Sequence, residues 1–288
     1  MVDLGVGKNM VRAIRFWEQA AGVIEPAPER GGYRVTQFGK AVFDAKNGAD
    51  AYLEDIRTLW LLHWKLSTNL DSPLLAWDYL LNRWQEPTLT RTAAVAALKK
   101  EADQHEQKLS SVTIEQHFET FLHTYVPTRG RKGEVQEDNL DSPLVELEML
   151  TQAGEQEVGT SGRHETVYAF RRDEKPDIAP ELFLYCLVDF FEQQHRNEET
   201  LPFNAVVNGH GSPGQIFKLP EEEIRMRFAS LDADTSAVLT FSEAAQQQQL
   251  RWRKSNGSLT FSIFSRGFFD RRTSNAISVI QRRSAAMS

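Results

Sequence analysis

The sequence predicts a mainly α fold assembled from winged-helix-like units with short β-hairpins. Three observations carry that expectation. Apolar residues recur at helical spacing in one segment after another, Gly- and Pro-rich turns flank short strand-like runs, and Ser-Pro pairs stand where helices begin.

From Asn9, the residues Val11, Ile14, Trp17 or Ala21, and Val23 follow helical spacing, with Gly22 placed near the helix end. EPAPERGGYRVTQFGKAVF then reads as a turn, a short strand at Tyr33–Thr36 and a new helix, the order of a winged-helix unit. Residues 51–64, AYLEDIRTLWLLHW, form an apolar core helix. Ser72-Pro73, Ser142-Pro143 and Ser212-Pro213 mark helix starts, since Ser caps a helix and Pro suits its first position. At Ser212 the spacing also allows Gln215 to reach back in a capping box. A helical stretch over 90–126 breaks near 109–113. PTRGRKGEVQEDN is a polar loop, and residues 151–172 make a second hairpin ending in the strand Thr166–Arg171. PELFLYCLVDFFEQQH is helical, as is the run from Pro220, whose Glu221, Glu222 and Glu223 favour the positive helix end. SLTFSIF reads as a strand. These elements divide into an N-terminal winged-helix-like unit over 1–68, a central helical unit with a hairpin over 69–198, and a C-terminal helical unit with a basic tail over 199–288.

The 288 residues are 41% hydrophobic, with 17 Phe and 6 Trp, enough to fill a sizeable core. No apolar run approaches the ~20 residues of a membrane span. Cys186 is the only cysteine, which excludes an intrachain disulfide and fits a cytoplasmic setting. The net charge of −7 is uneven: residues 1–43 carry +2 and residues 251–288 carry +7, leaving −16 for the body. An acidic body with basic ends suits a protein that meets an anion at chosen places.

LGVGKN is no nucleotide-phosphate loop. Asn9 stands where a Walker loop needs Ser or Thr, and no strand precedes it. A DNA-facing helix accounts for it better. Lys8, Arg12, Arg15 and Gln19 share one polar stripe, and Asn9 with the first amides sits at the helix N-terminus, where a phosphate is attracted. The hairpin tip, with Arg30, Gly31, Gly32 and Arg34, serves as the wing. The expected DNA contacts are therefore Lys8, Asn9, Arg12, Arg15 and Arg34.

Signals for catalysis are sparse. The seven histidines make no metal-ligand spacing, and His63, between Leu62 and Trp64, reads as a packed core residue. Glu137, Asp138 and Asp141, followed by Glu146 and Glu148, form a local carboxylate cluster. They are the candidate catalytic ligands for a divalent cation, Mg or Mn, if the chain is catalytic.

The motifs LGVGKNMVRAIRFW, TLWLLHWKL, LDSPLVELEML and GSPGQIFKL together resemble the SspB family, long catalogued as a domain of unknown function. The resemblance runs from about Leu4 to the region of Leu231. It implies a DNA-nicking component of a bacterial DNA phosphorothioation-based antiphage defence system, working with SspA, SspC and SspD; a homodimer is the form expected of a nickase. The family pattern also has a segment ahead of LGVGKN, so the N-terminal unit is expected to be incomplete and able to bind DNA without cutting it. The alternative is a non-catalytic winged-helix module that regulates transcription or recruits modification enzymes to DNA.

Overall fold

The computed structural model describes residues 5–29, 31–105, 108–127, 142–158, 163–230, 239–244 and 247–252. The mainly helical expectation holds, with three small antiparallel sheets among the described residues.

The first helix, α1 (Lys8–Ala20), ends as Gly22 requires. Gly22 takes φ +70°, its N–H donates to Gln19 O at 3.0 Å, and Val23 N–H donates to Glu18 O at 2.8 Å. This paired closure satisfies two carbonyls the helix would leave open. The chain then forms the hairpin of β1 (Ile24–Pro26) and β2 (Tyr33–Val35), with Gly31 and Gly32 at positive φ in its tip. Thr36 caps α2 (Gln37–Phe43) by accepting from Gly39 N–H at 2.9 Å. Its hydroxyl also donates back to Gly22 O at 2.7 Å, tying the helix end to the base of the hairpin.

The apolar helix α3 (Ile56–Ser67) begins five residues later than its composition indicated. The Asp50 carboxylate holds the N–H groups of Glu54 and Asp55, and Asp55 caps the helix through Arg57 N–H. Carboxylates that accept backbone amides end a loop and start a helix there. Ser72-Pro73 is a further correction, since α4 (Leu75–Asn82) starts past it and Ser72 N–H donates to Asn69 Oδ1 instead.

The strand β3 (Thr88–Thr90) leads into α5 (Arg91–Gln104), and α6 (Ser111–Tyr125) follows a break where one was expected. Ser142 caps a short 3-10 helix, Pro143–Leu147. The second hairpin is β4 (Leu150–Val158) and β5 (Arg163–Phe170), bulged near Gly154, and β3 joins it in the order β3-β5-β4. Next come α7 (Pro180–Gln194), β6 (Thr200–Pro202), α8 (Phe203–Asn208) and α9 (Pro213–Phe217). Ser212 caps α9 through Gln215 N–H, but the reciprocal half of the capping box is not made, because Ser212 N–H already bonds Gly209 O. The glutamates of α10 (Glu221–Ala229) lie in its first turn as expected, and all three also pair with Arg225 or Arg227. The C-terminal stretch is less helical than its composition indicated. There β7 (Leu239–Ala244) and β8 (Gln247–Trp252) pair with β6 in the order β6-β8-β7. The expected PTRGRKGEVQEDN loop beyond Pro127, the SLTFSIF strand and most of the basic tail lie outside the described residues.

One hydrophobic cluster draws side chains from Ala20 through Leu250. Its centre is aromatic: Trp60, Trp64, Trp77, Phe121, Tyr125 and Phe217 pack edge to face or tilted, at 5.1–6.3 Å between ring centres. His63 lies buried among them, as its apolar neighbours indicated. Its Nδ1 accepts from the Tyr125 hydroxyl at 2.7 Å, and its Nε2–H donates to Ile216 O at 2.9 Å. Burial pushes its pKa down to about 4, so the ring is neutral in the folded protein.

Candidate nucleic-acid interface

Five residues were expected to meet DNA, and four of them lie on α1. At ~100° per residue, Lys8, Arg12, Arg15 and Gln19 fall within an arc of about 60°. Trp17 and Ala20 point the other way, where Trp17 meets Trp77 edge-on at 5.8 Å and Ala20 is buried. Asn9 stands beside the stripe in the first turn. Lys8, Asn9, Arg12 and Arg15 are all exposed. No side chain caps this helix at its N-terminus. Its first amides therefore retain free donors, and the helix dipole adds positive potential there.

The hairpin stands against the same face. The Arg15 guanidinium lies 5.2 Å from the centre of the Tyr33 ring, joining stripe and hairpin into one surface. Tyr33 and Val35 are exposed on the hairpin, as are Met10 and Phe16 on the helix. Sequence reasoning passed over Tyr33. An exposed aromatic in a glycine-tipped strand next to Arg34 was the signal available for it.

Arg34 is held differently. Successive residues of a strand face opposite ways, so Arg34 points away from Tyr33. Its guanidinium bonds Glu25 at 2.7 Å across the hairpin and approaches Glu29 at 3.5 Å. By contrast, Lys8 and Arg12 make no ion pair among the described residues. Arg30 lies outside the described residues.

A groove of about 780 Å3 runs beside α1, walled by Phe16 and Gln19 of the helix, by β1, and by Asn69, Asp71 and Ser72 of the following loop. Two of its lining residues, Lys65 and Gln193, belong to a charge network that the sequence did not reveal. Asp189 Oδ2 accepts from Trp64 Nε1 at 2.8 Å, Lys65 Nζ at 3.2 Å and Gln193 Nε2 at 2.9 Å. Burial opposes the charge on Lys65, but Tyr185 and Asp189 outweigh it and raise the lysine pKa. A lone aspartate inside the apolar helix LFLYCLVDFF was the only trace of this network in the sequence.

The candidate metal ligands Glu137, Asp138 and Asp141 lie outside the described residues. Of their neighbours, Glu148 pairs with Arg171 at 2.7 Å. Among the described residues no group of three or more His, Cys, Asp or Glu is placed to hold a metal ion. Four histidines pair with carboxylates instead: His105 with Glu101, His123 with Glu119, His195 with Glu198 and His210 with Asp78. No described helix is long and apolar enough to cross a membrane.

Residues 1–268 match the family described as "Protein of unknown function (DUF4007)". A magnesium ion-bound SspB crystal structure shares the fold, with a TM-score of 0.76 at 24% identity over 94% of this chain and 81% of that one. A second SspB crystal structure gives a TM-score of 0.75 at 23% identity, over 99% of this chain and 85% of that one. The resemblance carried by the sequence motifs is thereby borne out at the level of fold. No curated protein matches the chain.

Proposed function

The chain belongs to the DUF4007 family, and we propose that it is a DNA-binding protein of a bacterial phosphorothioation-based antiphage system, acting in the cytoplasm as a nicking endonuclease. The observation that carries the reading is the cationic stripe of α1, unpaired among the described residues and joined to the hairpin through Arg15 and Tyr33. Exposed cations in a row attract a phosphate backbone, and releasing its counterions drives binding. In this reading α1 lies on the duplex as a winged-helix unit would, with Lys8, Asn9, Arg12 and Arg15 on phosphates or groove edges and Arg34 as a wing contact. The fold likeness to SspB supports the assignment to that system; SspA, SspC and SspD as partners are carried over from the motif resemblance, and a homodimeric working form from the nicking reading.

Nicking is the hydrolysis of one phosphodiester bond, and a divalent ion commonly supports it by stabilising charge on the phosphate. The SspB relative was crystallised with magnesium. Among the described residues no group of three or more His, Cys, Asp or Glu stands together to hold such an ion, and Glu137, Asp138 and Asp141, outside those residues, are carried forward from the sequence as the candidate ligands.

The test is plasmid relaxation by the purified protein with Mn2+, with Mg2+ and with chelator. Conversion of supercoiled to open-circular DNA only when a divalent ion is present is the expected result. DNA binding without conversion under any of the three conditions would leave the non-catalytic module, a regulator or recruiter, in its place.

A further inference from the structure

We propose that the groove beside α1 receives one unstacked nucleobase of the bound DNA. The inference rests on the DNA-binding reading and adds a base-recognition subsite to it.

Three features point there. The first is continuity. Gln19 is the last member of the Lys8-Arg12-Arg15 stripe and also a wall of the groove, so a strand tracking the cations arrives at its mouth. The second is charge. Lys65 is the one cation among the described groove residues and Asp189 already holds it, Glu25 is paired with Arg34, and Asp71 is acidic. A phosphate would be repelled from this space, whereas the amino group of a base would find acceptors. Asp71 has no partner among the described residues. The Gln193 amide nitrogen is fixed on Asp189, which leaves its Oε1 available. The third is stacking. Phe16 stands at the rim with 52% of its surface exposed, held edge-on by Trp17 at 5.3 Å. An aromatic face stacks on any base without reading its sequence.

The volume of about 780 Å3 falls within the ~300–1,000 Å3 typical of sites that enclose small ligands. A base drawn into it must leave its stack, which is easiest at a mismatch or a damaged position. The acceptors Asp71 and Gln193 favour cytosine, adenine or guanine, which carry exocyclic amino groups, over thymine, which has none.

The experiment uses duplexes of one sequence, each with 2-aminopurine at a successive position, titrated to saturation with the full-length protein. One position is expected to brighten severalfold on binding. Phe16→Ala and, separately, Gln193→Leu should each remove most of that rise while the dissociation constant moves less than tenfold, with circular dichroism confirming the fold of each variant. At the responsive position a mismatched thymine should bind more weakly than a mismatched cytosine. A duplex that binds, weakens on Arg12→Ala with Arg15→Ala, and brightens nowhere overturns the groove inference while the DNA-binding reading stands. A rise that persists in both groove variants also overturns it. No anisotropy change at low salt would instead remove the DNA-binding reading, and the groove inference with it.

Discussion

In the aromatic core, His63, Tyr125, Trp64 and Trp77 all carry polar atoms, and each finds a partner inside the molecule. Trp77 Nε1 donates to the Tyr125 hydroxyl at 2.8 Å, which donates to His63, which donates to Ile216 O. On α1 the treatment is opposite: Lys8, Asn9 and Arg12 face solvent without a partner among the described residues. The core polar groups cost free energy if any of them loses its bond. The helix cations contribute almost nothing to folding and keep their charge for something outside. What a side chain does for the fold and what it does for a ligand thus come apart in this chain, and mutation can separate them.

The sharpest test of the contrast is His63→Ala. It opens a cavity and strands Tyr125 and Ile216 O, so a loss of about 3–5 kcal/mol in urea denaturation is expected. A loss under about 1 kcal/mol would mean that the core chain of bonds has no energetic weight. Acid should probe the same residue. The His63 pKa is about 4 in the folded protein against 6.5 for a free histidine. The unfolded chain therefore takes up its proton first. Stability should be undiminished above pH 6.5 and fall by roughly 3 kcal/mol as pH drops towards 4, a slope absent in His63→Phe.

Between the two regions sits Gly22, whose positive φ ends α1 in open space. Gly22→Ala meets no clash and bears only the cost of the left-handed conformation, about 1 kcal/mol by thermal or urea unfolding. The smallest stability effect belongs to Arg12→Ala with Arg15→Ala, expected within about 0.5 kcal/mol of the parent. The same pair should flatten the logarithmic salt dependence of DNA affinity by ~1.8, at ~0.9 for each phosphate no longer neutralised. Arg34→Ala should change that slope by less than ~0.9, since Glu25 and Glu29 already offset its charge. Equal slopes for Arg12 and Arg34 would erase the distinction between free and engaged cations.

The parts legible in the sequence are those set by neighbours along the chain. The α1 stripe needs only helical spacing, Gly22 only the end of a periodic run, and the caps at Ser142 and Ser212 only the residues that follow them, whereas Thr36 reads as a strand residue and proves to be a cap. Ser72 has the same Ser-Pro signal and does not cap, because α4 begins at Leu75, past the pair, and the Ser72 N–H closes a turn on Asn69. What could not be read depends on distant partners. The β6-β8-β7 sheet joins strands of three to six residues whose pairing has no local signature. Lys65 and Asp189 stand 124 positions apart. Arg34 reads as a free cation until the hairpin register sets Glu25 opposite it. For the candidate site, the helix face was therefore legible, whereas the groove beside it was not.

The Thr36 hydroxyl is also a mechanical part. It donates to Gly22 O and accepts from Gly39 N–H, so one oxygen links the end of α1, the base of the hairpin and the start of α2 in series. Elements that share a pin, here reinforced by Thr36 N–H on Val23 O at 3.0 Å, open together. Amide hydrogens of α1, β2 and α2 should then exchange as one cooperative block, and Thr36→Val should let the three fray at separate rates. The angle between helix and hairpin would then rest on this hydroxyl together with the Arg15–Tyr33 contact.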